Sequence, residues 1–218
     1  MRSPSGLEIP RTLAEICNPS RLALLIYDMQ VGIARQIKDG DKIIASVGQL
    51  LAAARAASIR TCFTRHLSLP VPLMGAFQLR MAMAWQGVTD AREVKSVFLR
   101  DSPGFPIIPA LAPQPSEAIF DKITMSAFEG TPLHIALRDC GITAFAIAGI
   151  ALEVGIEPTI RHASDLGLIP VLIADACGSG NTEAARRTLE TLAFEGNTLM
   201  TDVATFTSLI TQPGDGRG

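Results

Sequence analysis

The sequence carries little charge and no long hydrophobic run. Charged residues make up 18% of its 218 residues, and 19 basic against 21 acidic side chains leave a formal net charge of −2. A chain of this kind lacks the basic surface by which proteins bind nucleic acid or anionic lipid, so we expect a small, weakly charged partner. The apolar run at 22–27 is far shorter than the roughly 20 residues of a membrane helix. Residues 1–20 show no signal-peptide pattern, and we therefore expect a cytoplasmic protein with no membrane partner.

Cysteine is scarce as well. The four cysteines lie far apart without a Cys-x-x-Cys pair, a pattern that predicts neither a disulfide framework nor a zinc site. Cys62, Cys140 and Cys177 lie in or beside apolar segments, where buried reduced thiols are expected. The sequence also lacks the Gly-x-Gly-x-x-Gly fingerprint, so we expect no dinucleotide cofactor.

Apolar residues are abundant, and they recur as short β-branched runs. They make up 48% of the chain, with a mean hydropathy of +0.30, which excludes an intrinsically disordered protein. Helical patterns at 42–57 and 182–194 lie between the runs, and this alternation indicates parallel strands joined by crossover helices. The predicted strands are 22–28, 61–64, 118–120, 143–150, 169–175 and 198–201.

These elements predict a Rossmann-like, doubly wound α/β fold. We expect a mostly parallel six-stranded sheet in three α/β/α layers, because several strands are apolar on both faces. The predicted domain covers residues 21–218, and an N-terminal arm covers residues 1–20.

Residues 67–117 interrupt the alternation of strands and helices. This proline-rich excursion predicts one short helix at 77–85 and no strand. A connection of this length is usually functional, and we interpret it as a wall of a ligand pocket. Trp85, the single tryptophan, is a candidate aromatic wall of that pocket, with an ordinary packing or interface role as the alternative.

Polar residues at the ends of predicted strands are the candidates for chemistry, because ligands of open α/β sheets bind beyond the carboxyl ends of the strands. Asp28 ends the first run, where burial at a cleft suits a carboxyl group to proton transfer; a helix cap or an ion pair is the alternative. Lys122 follows the third run and could bind an anion or keep a carboxylate charged; a solvated surface lysine is the alternative. His66 ends the second strand beside the excursion and is a candidate for substrate contact.

Glycines and the remaining histidines complete the candidates. Gly155 opens a helical pattern, and Gly178 and Gly180 follow the fifth run. Backbone amides at such a helix start can hold an anion or a developing oxyanion. His134 and His162 fall within helical patterns, where we expect surface or hydrogen-bonded histidines.

Three ordered motifs give the chain a family resemblance. The segment LALLIYDMQ at 22–30 resembles the first strand of the isochorismatase-like hydrolases, which ends in a DMQ or DxQ motif. The segment DKITMSAFEGTPL at 121–133 resembles their Lys-x3-Ser-x-Phe-x-Gly-Thr-x-Leu stretch, and GIALEVGIEPTIRHASDLG at 149–167 is similar to their nucleophile-bearing segment. The resemblance covers about residues 20–205.

The resemblance implies a catalytic Asp, Lys and Cys, which fall on Asp28, Lys122 and Gly155. Glycine removes the thiol and, on this interpretation, leaves space for water or substrate. Isochorismatases that cleave a vinyl ether also carry Gly at this position and use the Asp as a general acid. The family further implies a cis peptide at Ile150–Ala151, which would direct the Ala151 and Gly155 amides toward an oxyanion.

The motifs also bear on ligands. Gln30, from the DMQ motif, is a further candidate for substrate binding. A metal-binding branch of the family has an Asp-x-His pair where this chain has His66 and Ser68, so we expect no metal. An aromatic pair usually follows the DMQ motif where this chain has residues 31–33, VGI, which points away from isochorismate itself as the substrate. Because relatives are commonly dimers or tetramers, we expect a homodimer or homotetramer.

The leading hypothesis is a cofactor-independent hydrolase that acts on a small molecule through Asp28 and Lys122 without a cysteine nucleophile. The bond that it cleaves would be a vinyl ether or a C–N bond. One alternative is a pseudoenzyme or small-molecule-binding protein on the same fold. Another is a cysteine amidase that uses Cys177.

Overall fold

In the computed structural model, which describes residues 1–211, six strands form one parallel sheet. The strands are β1 (Leu22–Tyr27), β2 (Arg60–His66), β3 (Ala118–Lys122), β4 (Ala144–Ile150), β5 (Ile169–Gly178) and β6 (Leu199–Thr201). Their spatial order is β3-β2-β1-β4-β5-β6, which makes the fold doubly wound, as the alternation of runs predicts. The last seven residues of the predicted 21–218 domain lie outside the described part of the chain.

Helices cover both faces of the sheet. Over the described residues they are α1 (Leu13–Ile16), α2 (Val31–Ala34), α3 (Gly40–Ala56), α4 (Ala76–Gln86), α5 (Leu133–Asp139), α6 (Glu157–Asp165), α7 (Thr182–Glu195) and α8 (Val203–Thr211). The patterns at 42–57, 77–85 and 182–194 correspond to α3, α4 and α7. No helix within residues 1–211 is both long enough and apolar enough to cross a membrane.

Two apolar layers sandwich the sheet. All six residues of β1 are buried, and their side chains alternate between the layers. Leu24 and Ile26 face the layer that contains α3 and α8, whereas Leu25 and Tyr27 face the layer that contains α5, α6 and α7. This double-sided burial explains why the run has no polar alternation.

The strand order reverses between β1 and β4, and the backbones approach closely there. Gly149 of β4 has a φ of 135°, and a Cβ at this position would lie 2.0 Å from the carbonyl oxygen of Tyr27. Only glycine fits such an approach. Asp28, directly after β1, has a φ of 46°, a left-handed conformation that Asp tolerates better than most residues.

The excursion at 67–117 folds over the carboxyl ends of the strands. It contains α4 and three short 3-10 turns, and its β-structure within the described residues is a single isolated bridge from Ile107 to Gln30. Its later part is tied to the loop after β1, since Val31 donates its N–H to the carbonyl of Pro106 at 3.0 Å and Ile108 donates to Met29 at 3.0 Å. The excursion therefore lies against the end of the sheet that carries the candidate residues.

Candidate active site

Asp28 and Lys122 form a buried ion pair at the carboxyl ends of β1 and β3. The Lys122 Nζ donates to the Asp28 Oδ2 at 2.6 Å, and the two side chains are 1% and 5% exposed, respectively. The residues are 94 positions apart in the sequence. Their direct contact, which the strand-end positions predict, is confirmed.

Both members of this ion pair have further protein partners. Thr64 donates its Oγ1 hydroxyl to the Asp28 Oδ1 at 2.7 Å and accepts the Asp28 N–H at 3.2 Å. Lys122 also donates to the carbonyl of Thr124 at 3.2 Å, and its Nζ lies 4.2 Å from the centroid of the Tyr27 ring. Buried charges persist when they are paired and hydrogen-bonded in this way.

Thr64 and Tyr27 are the members of the site that sequence reasoning missed. Both lie on apolar strands, where a single hydroxyl is ordinarily a packing detail. The available signal was positional: Ile26 pairs with Phe63 in the β1–β2 register, so the next residues along, Tyr27 and Thr64, flank the candidate acid at the strand ends.

Gly155 lies inside a π-helical turn, Leu152–Ile156, that joins β4 to α6. Gly155 is expected to begin the helical segment, but the helical backbone already begins at Leu152, so this expectation is wrong. Its N–H donates to the carbonyl of Ala151 at 3.1 Å, so this amide is engaged within the turn instead of pointing at a substrate. The predicted side-chain space is also occupied, because a Cβ at position 155 would lie 1.9 Å from the Tyr27 Oη.

Of the other backbone features expected in this region, the cis peptide is present, but the anion site near Gly180 is already filled. The cis peptide expected at Ile150–Ala151 is present, and Ala151 is half-buried at the start of the π-helical turn. Gly178 belongs to β5. The N–H groups of Gly180 and Asn181 both donate to the Glu153 Oε1 at 2.8 Å, so the protein's own carboxylate fills the anion site expected there.

Gln30 positions the site instead of facing a substrate. It is fully buried, and its Nε2 donates to the carbonyls of Phe105 at 2.8 Å and His66 at 3.1 Å. Its Oε1 accepts the N–H of His66 at 2.6 Å. The side chain thus joins the loop after β1 to the end of β2 and to the excursion, which corrects its predicted role in substrate binding.

The other two predicted substrate residues, His66 and Trp85, line one pocket of about 140 Å³. Its walls come from α4, from the excursion around Phe98 and from Ile123, the residue after Lys122. The lining mixes apolar side chains such as Met81 with glutamine amides and Lys95. This volume is below the roughly 300–1,000 Å³ of pockets for drug-sized ligands, so the pocket suits a smaller molecule.

His66 lines this pocket and is close enough to the ion pair for both charges to shift its pKa. Burial lowers the pKa of His66, while the charge of Asp28 raises it and that of Lys122 lowers it. The imidazole is therefore neutral near pH 7. Its ring contacts Phe98 edge-on, with the centroids 5.9 Å apart. His162, by contrast, is hydrogen-bonded on α6 through Nδ1 to the Ser126 Oγ at 2.9 Å, as expected for a histidine within a helix.

Cys177, the alternative nucleophile, does not lie on the strands that carry the ion pair. Burial raises the pKa of Cys177 to about 12, and its Sγ donates to the carbonyl of Ile173 at 3.3 Å. Strand β4 separates Cys177 on β5 from β1. A raised pKa and a position on β5 disfavour Cys177 as the thiolate of an amidase. Cys140, expected to be buried, is exposed at the end of α5.

No cluster of three or more His, Cys, Asp or Glu side chains suited to a metal occurs within the described 211 residues. His66 has its backbone bound to Gln30, and the Ser68 Oγ accepts the N–H of Phe98 at 3.2 Å. The metal-free site stays a prediction.

Comparison with known proteins extends over this whole arrangement. The isochorismatase domain matches residues 22–204. The ureidoacrylate amidohydrolase RutB of Pseudomonas syringae pv. syringae is 26% identical over 184 residues, which cover 78% of this chain and 75% of that protein. A crystal structure of a cysteine hydrolase from Pseudomonas syringae pv. phaseolicola 1448A gives a TM-score of 0.74 at 27% identity and covers 88% of this chain and 93% of its own. An isochorismatase family protein from Burkholderia thailandensis gives 0.71 at 26% identity, with coverages of 88% and 96%.

Proposed function

The chain belongs to the isochorismatase family of hydrolases, and from that premise we propose that it hydrolyses a small molecule through Asp28 and Lys122 without a cysteine nucleophile. The observation that carries this proposal is the buried 2.6 Å contact between the Lys122 Nζ and the Asp28 Oδ2 beside a glycine at position 155. A paired acid and base at the carboxyl ends of two strands supply proton transfer, whereas the thiol that would attack a carbonyl is missing.

Asp28 carries the proton in this scheme. For a C–N bond, the carboxylate takes a proton from a water molecule as that water attacks the carbonyl carbon. The carboxyl group then gives this proton to the leaving nitrogen as the C–N bond breaks. For a vinyl ether, the protonated carboxyl group gives its proton to the enol carbon and then, as a carboxylate, takes a proton from the water that adds to the oxocarbenium ion. The resulting adduct breaks its C–O bond, and its hydroxyl proton passes to the leaving oxygen, which releases a carbonyl compound and an alcohol. The ammonium of Lys122 stabilises the carboxylate form of Asp28, which is the reactant in C–N hydrolysis and the product of the proton transfer in vinyl-ether hydrolysis. Ala151 remains the backbone candidate for holding a developing oxyanion, since the Gly155 amide is already bonded.

The pocket beside His66 limits the size and polarity of the substrate. Ile123 on its wall is the residue after Lys122, and the charges of Asp28 and Lys122 both shift the pKa of His66. The volume of about 140 Å³ and the mixed lining favour a small, partly apolar compound with hydrogen-bonding groups. A ureido acid, as in the name of the RutB relative, and a small vinyl ether both meet this description.

Turnover measured beside calorimetry tests the proposal. Ureidoacrylate, isochorismate and a set of primary amides are incubated with the purified protein, and the same compounds are titrated by calorimetry. We expect one class to be hydrolysed. If at least one compound gives binding heat and none is hydrolysed, the result supports a second candidate, a small-molecule-binding protein. The missing nucleophile and the near-complete burial of the ion pair favour this candidate.

Thiol reagents are expected to leave the activity intact. Burial raises the pKa of Cys177 to about 12, so this thiol stays protonated at pH 8 and reacts slowly with iodoacetamide. Burial also raises the pKa of Cys17 and of Cys62 to about 11. Iodoacetamide should therefore label the exposed Cys140 with no change in rate.

A Cys140→Ser variant serves as the control, because it should remain both unlabelled and active at pH 8. Mass spectrometry locates the label, and an assay of the hydrolysed compound follows the rate. Inactivation that tracks a label on Cys177, and that substrate prevents, would restore the cysteine amidase interpretation.

We further propose that the protein is a cytoplasmic homo-oligomer. Large apolar side chains of the excursion are exposed in the single chain, among them Leu73 at 68%, Phe77 at 71% and Trp85 at 60%. A second copy that covers this face would remove the apolar area from water.

A further inference from the structure

The ring of Tyr27 fills the space that a side chain at position 155 would need. An ideal Cβ at position 155 would lie 1.9 Å from the Tyr27 Oη, 2.4 Å from Cζ and 2.7 Å from Cε1. All three distances are far inside ordinary carbon contacts of roughly 3.5–4.0 Å. Even the methyl group of alanine therefore cannot be added while the tyrosine ring stays in place.

The tyrosine ring is fixed from several sides. Tyr27 is 2% exposed, belongs to the central strand β1, and donates its hydroxyl to the carbonyl of Met125 in the loop after β3. The ammonium of Lys122 lies against its face. Gly155 is held equally firmly, because its carbonyl accepts the hydroxyl of Thr159 at 2.7 Å.

We infer that Tyr27 determines the reaction class of this site: its phenol fills the space of a side chain at position 155, so a nucleophile can be carried there only when Tyr27 is shortened. Tyr27 and Gly155 are thus a size-matched pair that commits Asp28 and Lys122 to chemistry without a thiol. This inference goes beyond the proposed hydrolysis, because the steric pairing holds whether or not a bound compound is cleaved.

The phenol acts by its volume and not as a replacement nucleophile. Burial raises the pKa of Tyr27 well above its usual range, and the negative charge of Asp28 raises it further. The hydroxyl keeps its proton near neutral pH and directs it to the Met125 carbonyl. Tyr27 is therefore a positioning residue, and it leaves proton transfer to Asp28.

Thermal unfolding of a double-mutant cycle tests the pairing. The backbone at Gly155 has no left-handed φ, so alanine in this helical turn would by itself raise Tm by about 2–4 °C. We expect the opposite sign: Gly155→Ala should lower Tm by more than 5 °C or prevent folding. Tyr27→Val should also lower Tm, and Tyr27→Val/Gly155→Ala should unfold at a higher temperature than the sum of the single shifts gives.

Gly48→Ala is the matched control. Gly48 lies in α3, and a Cβ there would meet only Leu111 Cδ2 at an ordinary 3.8 Å. This substitution should leave Tm unchanged or raise it slightly. A stabilising Gly155→Ala, or strictly additive shifts in the cycle, would overturn the pairing.

Cysteine at position 155 tests the role in reaction class. In a Cys140→Ser background, the iodoacetamide rate is measured against pH for Gly155→Cys and for Tyr27→Val/Gly155→Cys. In the labelling reaction a sulfur–carbon bond forms, the carbon–iodine bond breaks, and the thiol proton is lost to solvent or to Asp28. We expect Tyr27→Val/Gly155→Cys to fold and to be labelled at position 155, whereas Gly155→Cys alone should lower Tm as Gly155→Ala does, because only the double variant has room for a side chain there.

Two outcomes of this experiment count against the inference. If the double variant does not fold or is not labelled at position 155, shortening Tyr27 does not open room for a nucleophile. If Gly155→Cys alone keeps the wild-type Tm and is labelled as fast as the double variant, no shortening of Tyr27 is needed. Either result would overturn the pairing of Tyr27 with Gly155 but not the proposed hydrolysis by Asp28 and Lys122. Absence of turnover on every compound would overturn the hydrolysis but not the result of the double-mutant cycle.

Discussion

The Asp28→Asn variant is expected to lose turnover by about 10²- to 10⁴-fold, the range over which a positioned proton carrier contributes. Asparagine keeps the shape of the side chain and tolerates the left-handed φ of 46° at this position, so the backbone is preserved. What it removes is the negative charge 2.6 Å from the Lys122 Nζ. Steady-state rates on whichever compound the wild type hydrolyses give the measurement.

The same substitution should also cost stability. Sequence reasoning places Asp28 at a cleft and leaves open whether it is a proton carrier or a member of an ion pair. The structure buries both partners, and removal of one partner of a buried ion pair destabilises a protein by about 3–5 kcal/mol. The uncompensated ammonium of Lys122 is the cause.

The double variant Asp28→Asn/Lys122→Met separates the two effects. Removing both charges should return the free energy of unfolding most of the way to wild type, because uncharged replacements of buried pairs are often neutral. Activity should stay lost. Asp139→Asn, the same change in an exposed ion pair, should alter stability by no more than about 0.5 kcal/mol. If Asp28→Asn or the double variant keeps more than a tenth of the wild-type rate, Asp28 is not the proton carrier.

The sequence predicts the fold because each strand is specified by residues that are adjacent in the chain. The strands β1 and β4 are short runs buried on both faces, and no polar residue interrupts them. The end of β5 was misplaced by three residues for a local reason too. Its register against β4 jumps between Leu172, opposite Ile147, and Cys177, opposite Gly149, and the sequence contains no signal for this irregularity.

The sequence predicts only part of the candidate site, because some of its contacts join segments that are far apart in the chain. Asp28 and Lys122 follow their strands directly, so a sheet rule places them together. The clash between Tyr27 and position 155 depends on how β1 meets the π-helical turn, and such a turn has no sequence pattern of its own. Gln30 was assigned to the substrate because a polar residue in a motif at a strand end suggests function. Its burial depends on the excursion, whose path over the sheet the sequence does not specify.

Gln30→Leu separates those two assignments of Gln30 by its effect on stability. Leucine is close in size but cannot replace three hydrogen bonds, and it leaves the N–H and carbonyl of His66 and the carbonyl of Phe105 without their partner. Each unpaired buried group costs about 1–3 kcal/mol. We expect a loss of about 3 kcal/mol or more in the free energy of unfolding, and a fall in Tm of roughly 6–12 °C.

Gln36→Leu provides the matched comparison, because Gln36 makes one exposed hydrogen bond, from Nε2 to the carbonyl of Gly32 at 2.8 Å. Its free energy of unfolding should change by no more than about 0.5 kcal/mol, and urea titrations of the wild type and of both variants give the measurement. A substrate-binding Gln30 would give the reverse result for Gln30→Leu, a raised KM in a protein of unchanged stability. The structure favours the first result, because the amide of Gln30 is fully buried and both of its polar atoms are bonded to the backbone that places His66 beside the ion pair.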